Sequence, residues 1–144
     1  MLVLANVQKE DFVVDLGCGD GRIPVTAARK YGAHGLGVDI DPVRIAEATA
    51  NAKAAGVEHL VTFKLQDAMT TDVRNATLVT TYLLSAANVK LRPMLTKEMK
   101  PGTRIVTHNF SMGEWAPEKS ETFKDGEGRL RTIFLYRLDG KVRQ

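Results

Sequence analysis

The feature that most constrains the fold is a glycine-rich turn at residues 17–21, which stands between an apolar run and a helical pattern. The run at residues 13–16 is rich in valine and leucine, as in a strand that is covered on both faces of a sheet. Glycines adopt backbone angles that other residues resist, and they let the main chain approach a ligand closely. The helix that follows directs its N-terminal amides and their partial positive charge into the turn. The turn therefore predicts a socket for a polar, nucleoside-containing ligand. Its three glycines are Gly17, Gly19 and Gly21.

The spacing of the turn and one acidic residue narrow the choice of ligand. The glycines follow the pattern G-x-G-x-G, whereas the dinucleotide fingerprint is G-x-G-x-x-G with a pyrophosphate at the helix N-terminus. Asp15 lies two residues before the first glycine, where a carboxylate would repel a pyrophosphate and attract a cation. S-adenosylmethionine carries a sulfonium and an ammonium group and has no phosphate. The alternative is a glycine-rich turn that binds no ligand.

This first motif resembles that of the class I, seven-strand methyltransferases, in which an acidic residue precedes G-x-G-x-G. The resemblance implies S-adenosylmethionine as the cofactor. It also implies that Asp15, Gly17 and Gly19 position the methionine part of the cofactor. Asp39 would hold the ribose and Asp67 the adenine. The full cofactor-binding set that the resemblance implies is Asp15, Gly17, Cys18, Gly19, Asp39, Ile40, Gln66, Asp67 and Ala68.

Two of these carboxylates follow predicted strands at positions suited to a nucleoside. Asp39 ends the second strand about twenty residues beyond the turn, where a carboxylate accepts hydrogen bonds from ribose hydroxyls. Asp67 follows the third strand, where it could accept the adenine amino group or form a local turn. Asp41 precedes Pro42 and is interpreted as the N-cap of the second helix, with a ligand role as the alternative.

Strand-like and helix-like segments alternate up to residue 108, which predicts a parallel sheet with right-handed crossovers. Pro93 should kink or split the third helix. Residues 2–8 are apolar and compatible with a helix, but they are too few for a stable helix alone. The resemblance implies an α/β, Rossmann-like, doubly wound sheet of seven strands that is mostly parallel with a C-terminal antiparallel hairpin. The predicted strands are 13–16, 35–39, 61–65, 76–82, 104–108, 118–123 and 130–138, and the predicted helices are 22–30, 42–55 and 86–99.

The composition fits a single domain over residues 1–144, with 44% hydrophobic and 26% charged residues. No apolar run is long enough to cross a bilayer and no leader peptide is evident, so no membrane partner is predicted.

Cys18 is the one cysteine and cannot form an internal disulfide, which favours the cytoplasm. Its place inside the turn favours a small filler over a nucleophile. The net charge of +3 permits a nucleic-acid partner but does not argue for one.

Methyl transfer from a sulfonium needs a well-placed, unprotonated nucleophile, because the cofactor itself supplies the activated methyl group. We expect the methyl-accepting group to bind at the carboxyl end of the fourth strand. There Thr81 could place an oxygen near a target amine, and the Tyr82 ring could form one side of the site. These are the candidate catalytic residues, and the alternative for Tyr82 is an ordinary strand-end residue.

His108 is either a proton acceptor or a structural histidine, and Trp115 either covers the pocket or anchors its loop. No metal site is predicted, since the three histidines lack metal-ligand spacing.

Three later stretches resemble a small prokaryotic group of seven-strand protein-lysine methyltransferases, which includes broad-specificity archaeal enzymes. They are residues 82–93, 100–110 and 112–115, and the likeness runs from about residue 11 to residue 138. It implies methylation of lysine ε-amines and hence a protein partner. The strand-four motif of amino-group DNA and RNA methyltransferases is missing, and Cys18 is misplaced for carbon-5 pyrimidine chemistry. No nucleic-acid substrate is therefore predicted.

The chain departs from this group at three places. Members usually have a longer N-terminal segment that closes over the cofactor, and we expect that segment to be truncated or absent here. Ser85 stands where a proline is usual and Asn109 where an aspartate is usual, so the choice of substrate could differ. The alternatives to lysine methylation are a small-molecule methyltransferase and a catalytically weak S-adenosylmethionine-binding subunit. An NAD-binding domain is disfavoured by Asp15 and the glycine spacing.

Overall fold

The computed structural model describes residues 2–144, in which seven strands form one sheet and three α-helices pack on it. The strands are β1 Phe12–Leu16, β2 His34–Asp39, β3 Val61–Leu65, β4 Leu78–Thr81, β5 Arg104–His108, β6 Lys119–Lys124 and β7 Leu130–Arg137, and the helices are α1 Arg22–Tyr31, α2 Pro42–Ala54 and α3 Ser85–Glu98. A short 3-10 helix, Ala68–Thr70, follows β3. No helix within residues 2–144 has the length and apolarity that a membrane span requires.

The sheet has the strand order β3-β2-β1-β4-β5-β7-β6. Strands β1 to β5 run parallel, whereas β7 is antiparallel to both β5 and β6. This arrangement confirms the predicted Rossmann-like sheet with a C-terminal antiparallel hairpin. The chain order reverses beside β1, whose neighbours are β2 and β4, and such a reversal opens a crevice at the carboxyl ends of the strands.

The central strands are buried on both faces, and successive residues face opposite sides of the sheet. One face holds Val13, Leu78, Val106, Leu135 and, from α1, Ala27. The other face holds Val14, Val79, Ile105 and, from α3, Leu91 and Leu95. Each of these side chains is almost fully buried. The packed core therefore fixes the strand ends at which the crevice opens.

The helix boundaries follow the turn chemistry of the sequence. The residue before α1 is Gly21 at φ 78°, and the residue after it is Gly32 at φ 72°, both in the left-handed region. The Asp41 side chain accepts a hydrogen bond from the Val43 N–H at 2.9 Å, and Pro42 is the first residue of α2. Asp41 is therefore the predicted N-cap.

Helix α3 runs without interruption through Pro93, so the split, one of the two outcomes predicted at this proline, is wrong. A proline removes one N–H and clashes with the carbonyl four residues earlier, which ordinarily bends or breaks a helix. Here Leu91 and Leu95 on either side of the proline are buried in the core, at 1% and 0% exposure. The Thr96 hydroxyl also donates to the Arg92 carbonyl at 2.7 Å. Tertiary packing thus outweighs the local helix-breaking tendency.

One further segment differs from the sequence prediction by more than one residue. Strand β4 begins at Leu78, two residues later than predicted, and ends at Thr81, so Tyr82 stands just beyond the strand. Residues 2–6 form turns, as expected of a segment too short for a stable helix alone. Leu2 and Ala5 of this segment are buried against the face of the sheet that α1 covers. Burial of these side chains against the sheet explains how so short a segment keeps a defined conformation.

Candidate functional site

The glycine-rich turn is held against the end of β2 by backbone hydrogen bonds. The N–H groups of Gly17 and Cys18 both donate to the Val38 carbonyl, at 2.9 and 2.8 Å. Gly17 and Gly19 have φ angles of 75° and 56°, in the left-handed region that favours glycine. A Cβ on Gly17 would come within 2.8 Å of a methyl carbon of Leu83, whereas a Cβ on Gly19 would meet no atom within 4 Å. The turn therefore presents bare backbone to open space at Gly19, whereas Gly17 lets the turn lie directly against Leu83.

Asp39 ties this turn to the start of the next connection. One of its carboxylate oxygens accepts the Gly19 N–H at 2.9 Å, and the other accepts the Asp41 N–H at 3.0 Å. Each carboxylate oxygen can accept more than one hydrogen bond. Asp39 therefore shapes the turn and still has acceptor capacity toward a ligand, as the predicted ribose role requires.

Asp15 is a buried carboxylate beneath the turn, with 4% of its surface exposed. The Thr80 hydroxyl donates a hydrogen bond to it at 2.7 Å. Burial raises the pKa of Asp15 to about 7, and the nearby charges of Asp39 and Asp20 act in the same direction, while the hydrogen bond from Thr80 opposes them. A cation placed beside Asp15 would favour the ionised carboxylate.

Two adjoining cavities open at the carboxyl ends of the strands, and Gly17 and Tyr82 line both of them. The β2–β3 cavity has a volume of about 360 Å³, and the predicted residues along it are Asp39, Ile40, Gln66, Asp67 and Ala68. The β4–β5 cavity has a volume of about 510 Å³, and the predicted residues along it are Asp15, Cys18, Gly19 and Thr81. The structure therefore brings every predicted site residue to the same crevice.

Asp67 lies at the far end of the β2–β3 cavity. One of its carboxylate oxygens accepts the Met69 N–H at 2.9 Å, and its backbone carbonyl accepts the Thr71 hydroxyl at 3.0 Å. The local turn that the sequence left open is therefore present. It engages one of the two carboxylate oxygens, so the turn and a ligand contact are compatible.

Thr81 lies at the base of the β4–β5 cavity and is fully buried. Its hydroxyl donates to the Asn88 side-chain oxygen at 3.0 Å, and the Asn88 amide donates in turn to the Phe110 carbonyl at 2.9 Å. The hydroxyl hydrogen of Thr81 thus points toward α3. The lone pairs of its oxygen remain free to accept a hydrogen bond from a methyl-accepting amine.

Tyr82 forms the wall between the two cavities, with about half of its surface exposed. Its ring meets the His108 ring edge-on, with the centroids 4.2 Å apart. Its hydroxyl accepts a hydrogen bond from the Arg131 guanidinium at 2.8 Å. Both ends of the side chain are therefore held, as expected of a residue that defines an opening rather than of a free surface tyrosine.

His108 ends β5 at the β4–β5 cavity. Burial lowers the pKa of its imidazole below the usual value, and the positive charge of Arg131 lowers it further. Its Nδ1 is buried and has no hydrogen-bond partner within residues 2–144. Both effects favour the neutral form of the imidazole. In the part of the chain that the structure describes, no cluster of three or more His, Cys, Asp or Glu residues is arranged to hold a metal ion.

Trp115 anchors its loop and lines neither cavity. Its ring lies 4.8 Å from the ring of Tyr136, and the Arg143 guanidinium lies 4.8 Å above it. Asn109 has φ 63°, which asparagine tolerates, and its side chain accepts the Thr132 N–H at 2.9 Å. These residues therefore organise the chain behind the crevice.

Sequence reasoning missed several residues of the crevice. Phe123 on β6 and Arg44 on α2 line the β4–β5 cavity, and Lys90 on α3 lines the β2–β3 cavity. Arg131 on β7 holds Tyr82 from behind. One signal was available for Phe123, because it is the single apolar residue of an otherwise polar strand. Nothing in the sequence around Arg44, Lys90 or Arg131 distinguishes them from other charged surface residues.

Comparison with known proteins identifies the family to which this arrangement belongs. The sequence model of the ANTKMT methyltransferase domain matches residues 15–119, well over half of the chain. The chain belongs to the ANTKMT methyltransferase domain family. Membership confirms the predicted class I methyltransferase.

Three relatives support this assignment. A protein-lysine N-methyltransferase from Saccharolobus islandicus (strain REY15A) is 42% identical over 137 residues, which are 94% of this chain and 84% of that protein. The adenine nucleotide translocase lysine N-methyltransferase of Mus musculus is 31% identical over 106 residues, which are 73% of this chain and 46% of that protein. A crystal structure of an RNA methyltransferase from Salinibacter ruber, in complex with S-adenosyl-L-homocysteine, is 44% identical with a TM-score of 0.90. The alignment covers 99% of this chain and 90% of that one.

The crevice of this methyltransferase fits S-adenosylmethionine. Bare glycine backbone, the buried Asp15 and the Asp39 carboxylate suit a cationic nucleoside and would repel a pyrophosphate. The bound S-adenosylhomocysteine of the Salinibacter ruber structure is the demethylated form of the same compound. The prediction of S-adenosylmethionine as the cofactor is confirmed.

Proposed function

We propose that this protein is an S-adenosylmethionine-dependent methyltransferase that modifies lysine ε-amines of proteins. The observation that carries the proposal is the aromatic opening at the β4–β5 cavity, which adjoins the acidic glycine turn. Tyr82, His108 and Phe123 line this opening, and the first and last of them are 51% and 41% exposed. A lysine ammonium against an aromatic face gains about 0.5–2 kcal/mol as it enters, and a lysine side chain is long enough to reach in from a protein surface.

The names of two relatives support a protein substrate. The Saccharolobus islandicus and Mus musculus proteins are both lysine N-methyltransferases, and the first aligns with 94% of this chain. The protein from Salinibacter ruber bears a different name, an RNA methyltransferase, at comparable identity. The aromatic opening favours a lysine as the substrate, so RNA is included as an alternative substrate in the experiment described below.

We assign the cofactor side of the crevice as follows. Asp15, Gly17 and Gly19 hold the methionine part, Asp39 holds the ribose, and Asp67 holds the adenine. When bound, S-adenosylmethionine would supply a methyl group activated by its sulfonium, and loss of that methyl group would leave a neutral thioether. The remaining predicted contacts are Cys18, Ile40, Gln66 and Ala68.

On the acceptor side, the protein must deliver a neutral amine in line with the methyl group. A lysine ammonium has an ordinary pKa of about 10.4, so it must lose a proton before it attacks. Partial desolvation beside Tyr82 lowers that pKa, and water removes the proton. Thr81 offers an oxygen at the base of the cavity. We therefore expect the rate to rise toward alkaline pH, and a flat profile from about pH 7 to 10 would contradict this step.

The cytoplasm is the compartment that we propose. Cys18, the one cysteine, is buried in the glycine turn and has no second cysteine to pair with. Burial raises the pKa of its thiol to about 12, and the charges of Asp15 and Asp39 contribute. The thiol is therefore inert as a nucleophile, and a chain that forms no internal disulfide needs no oxidising compartment, which supports the cytoplasm.

The proposal is tested by methyl transfer from labelled S-adenosylmethionine to matched panels of proteins, RNA and small amines. The Gly19→Ala variant serves as the control, because its added methyl group fills the open turn. Label on lysines of proteins, lost in the variant, is the expected result. Label confined to RNA or to small amines would overturn the lysine assignment. Binding of S-adenosylmethionine without transfer to any panel would indicate a non-catalytic subunit instead.

A further inference from the structure

Arg131 links the C-terminal hairpin to the acceptor opening. Its Nε donates to Asp125 at 3.0 Å, and its Nη1 donates to the Tyr82 hydroxyl at 2.8 Å. Asp125 is itself fixed, because one of its carboxylate oxygens accepts the N–H groups of Glu127 and Arg129 at 2.9 and 3.0 Å. The hairpin turn, the guanidinium and the tyrosine therefore form one chain of hydrogen bonds.

This ion pair is sheltered compared with others on the surface. The Arg131 and Asp125 side chains are 23% and 24% exposed, whereas the Arg129–Glu127 pair in the same hairpin is 70% and 75% exposed. A guanidinium is a rigid planar fork, so fixing one side of it by Asp125 fixes the direction of the other side. The Tyr82 hydroxyl accepts the hydrogen bond from that other side of the guanidinium, while the His108 ring packs edge-on against the Tyr82 ring.

The guanidinium also places a permanent positive charge behind the opening. Its influence is visible at His108, whose pKa it lowers together with burial. The charged side chains that line the β4–β5 cavity itself are Asp15, Asp20, Arg22 and Arg44, and Asp125 faces the Arg131 guanidinium at 3.0 Å on the side away from Tyr82. Asp20 is paired with Arg22 at 3.0 Å, and Asp15 lies buried below the turn. A positive charge near an amine disfavours its protonated form.

We propose that Arg131 is a positioning residue of the acceptor opening, which fixes the Tyr82 ring and keeps an incoming amine neutral. It does not line the cavity and acts through Tyr82 and through its charge. The proposal rests on the proposed function, since it assumes an amine acceptor. It adds a role for the β6–β7 hairpin, which carries both Asp125 and Arg131 and thereby sets the geometry of the opening.

The first experiment is a double-mutant cycle on methyl transfer with Arg131→Gln, Tyr82→Phe and the double variant. Tyr82→Phe is expected to lower kcat/KM for the acceptor about tenfold, and Arg131→Gln by more, because it removes the charge as well as the shared bond; the double variant should lose no more than Arg131→Gln. The Kd of S-adenosylhomocysteine stays within about twofold in all of them. The control is Arg129→Gln, which removes an equal charge from the same hairpin and leaves transfer unchanged. Additive losses, or an equal loss in the control, would overturn the proposal.

The second experiment separates charge from geometry. Arg131→Lys keeps the charge but loses the planar fork, so it retains the wild-type pH profile while kcat falls. Arg131→Gln moves the rise of the rate to higher pH, because the acceptor amine loses the positive charge that helps to lower its pKa. Identical pH profiles in wild type and Arg131→Gln would contradict the electrostatic part.

A third readout needs no acceptor and therefore stands even if the lysine assignment fails. NMR titration of the His108 imidazole in the intact protein should show a higher pKa in Arg131→Gln than in wild type, and no such rise in Arg131→Lys. The other two histidines, His34 and His59, serve as internal references. An unchanged His108 titration in Arg131→Gln would show that the charge does not reach the opening, and the proposal would fall.

Discussion

At the scale of single residues, Asp15 sets the electrostatic character of the crevice. It is a buried carboxylate with a hydrogen bond from the Thr80 hydroxyl at 2.7 Å, and burial raises its pKa to about 7 from 3.8. Between these two values the folded state holds the proton more tightly than the unfolded chain. Asp15 therefore makes the free protein less stable as the pH rises from about 4 to about 7. A cationic cofactor beside it relieves that cost.

The pH dependence of cofactor affinity follows from this carboxylate. Binding of a cation favours ionised Asp15, so affinity for S-adenosylmethionine should tighten about tenfold between about pH 5.5 and pH 7 and then level off. Isothermal titration calorimetry measures it directly. Asp15→Asn should bind more weakly and without this slope. The same slope in the variant would show that another group is responsible.

The glycine turn allows a test with a matched pair of variants. Gly19 and Gly56 both have positive φ, 56° and 72°, and neither would bring a new Cβ within 4 Å of another atom. Alanine at either position should therefore cost a similar amount of stability, about 1–2 kcal/mol. Only Gly19→Ala should lose S-adenosylmethionine binding, because only Gly19 lines the crevice. Thermal melting and calorimetry compare the two, and full affinity in Gly19→Ala would contradict the account.

The cofactor side of the crevice was predictable because its residues directly follow strands. Asp39 ends β2, and Asp67 comes two residues after β3, so the parallel sheet brings both to one edge. The acceptor side was only partly predictable. Tyr82 follows β4, but the hydrogen bond that holds it comes from Arg131, 49 residues away. No local pattern encodes a partner at that distance.

At the scale of elements, α3 shows local propensity overruled by packing. Pro93 predicts a break, yet α3 continues from Ser85 to Glu98 because Leu91 and Leu95 are anchored in the core. The sequence contained both signals, the proline and the apolar spacing. It contained no measure of how strongly the core would hold the helix.

Replacing Pro93 by alanine should therefore stabilise the protein. The change restores a backbone N–H to the helix and relieves the clash with the preceding turn, while it adds some entropy to the unfolded chain. We expect a net gain of about 1–2 kcal/mol in the free energy of unfolding, measured by urea denaturation. A loss of stability would show that α3 depends on the proline for its course along the sheet.

At the scale of the whole molecule, one sheet carries both cavities of the crevice. The reversal of strand order beside β1 opens the crevice, and the antiparallel hairpin of β6 and β7 brings Phe123 and Arg131 to its outer edge. The alternation of elements predicted the parallel half. The pairing of β7 with β5 rested on the family resemblance, since hairpin patterns alone do not say which strand they join.

The most direct test of the account is peptide mass spectrometry of proteins incubated with the wild-type protein and labelled S-adenosylmethionine, beside Asp15→Asn and Gly19→Ala. The account predicts labelled methyl groups on lysine ε-amines with the wild-type protein and their loss with both variants. Unlabelled lysines with the wild-type protein, or labelling that persists in both variants, would contradict it.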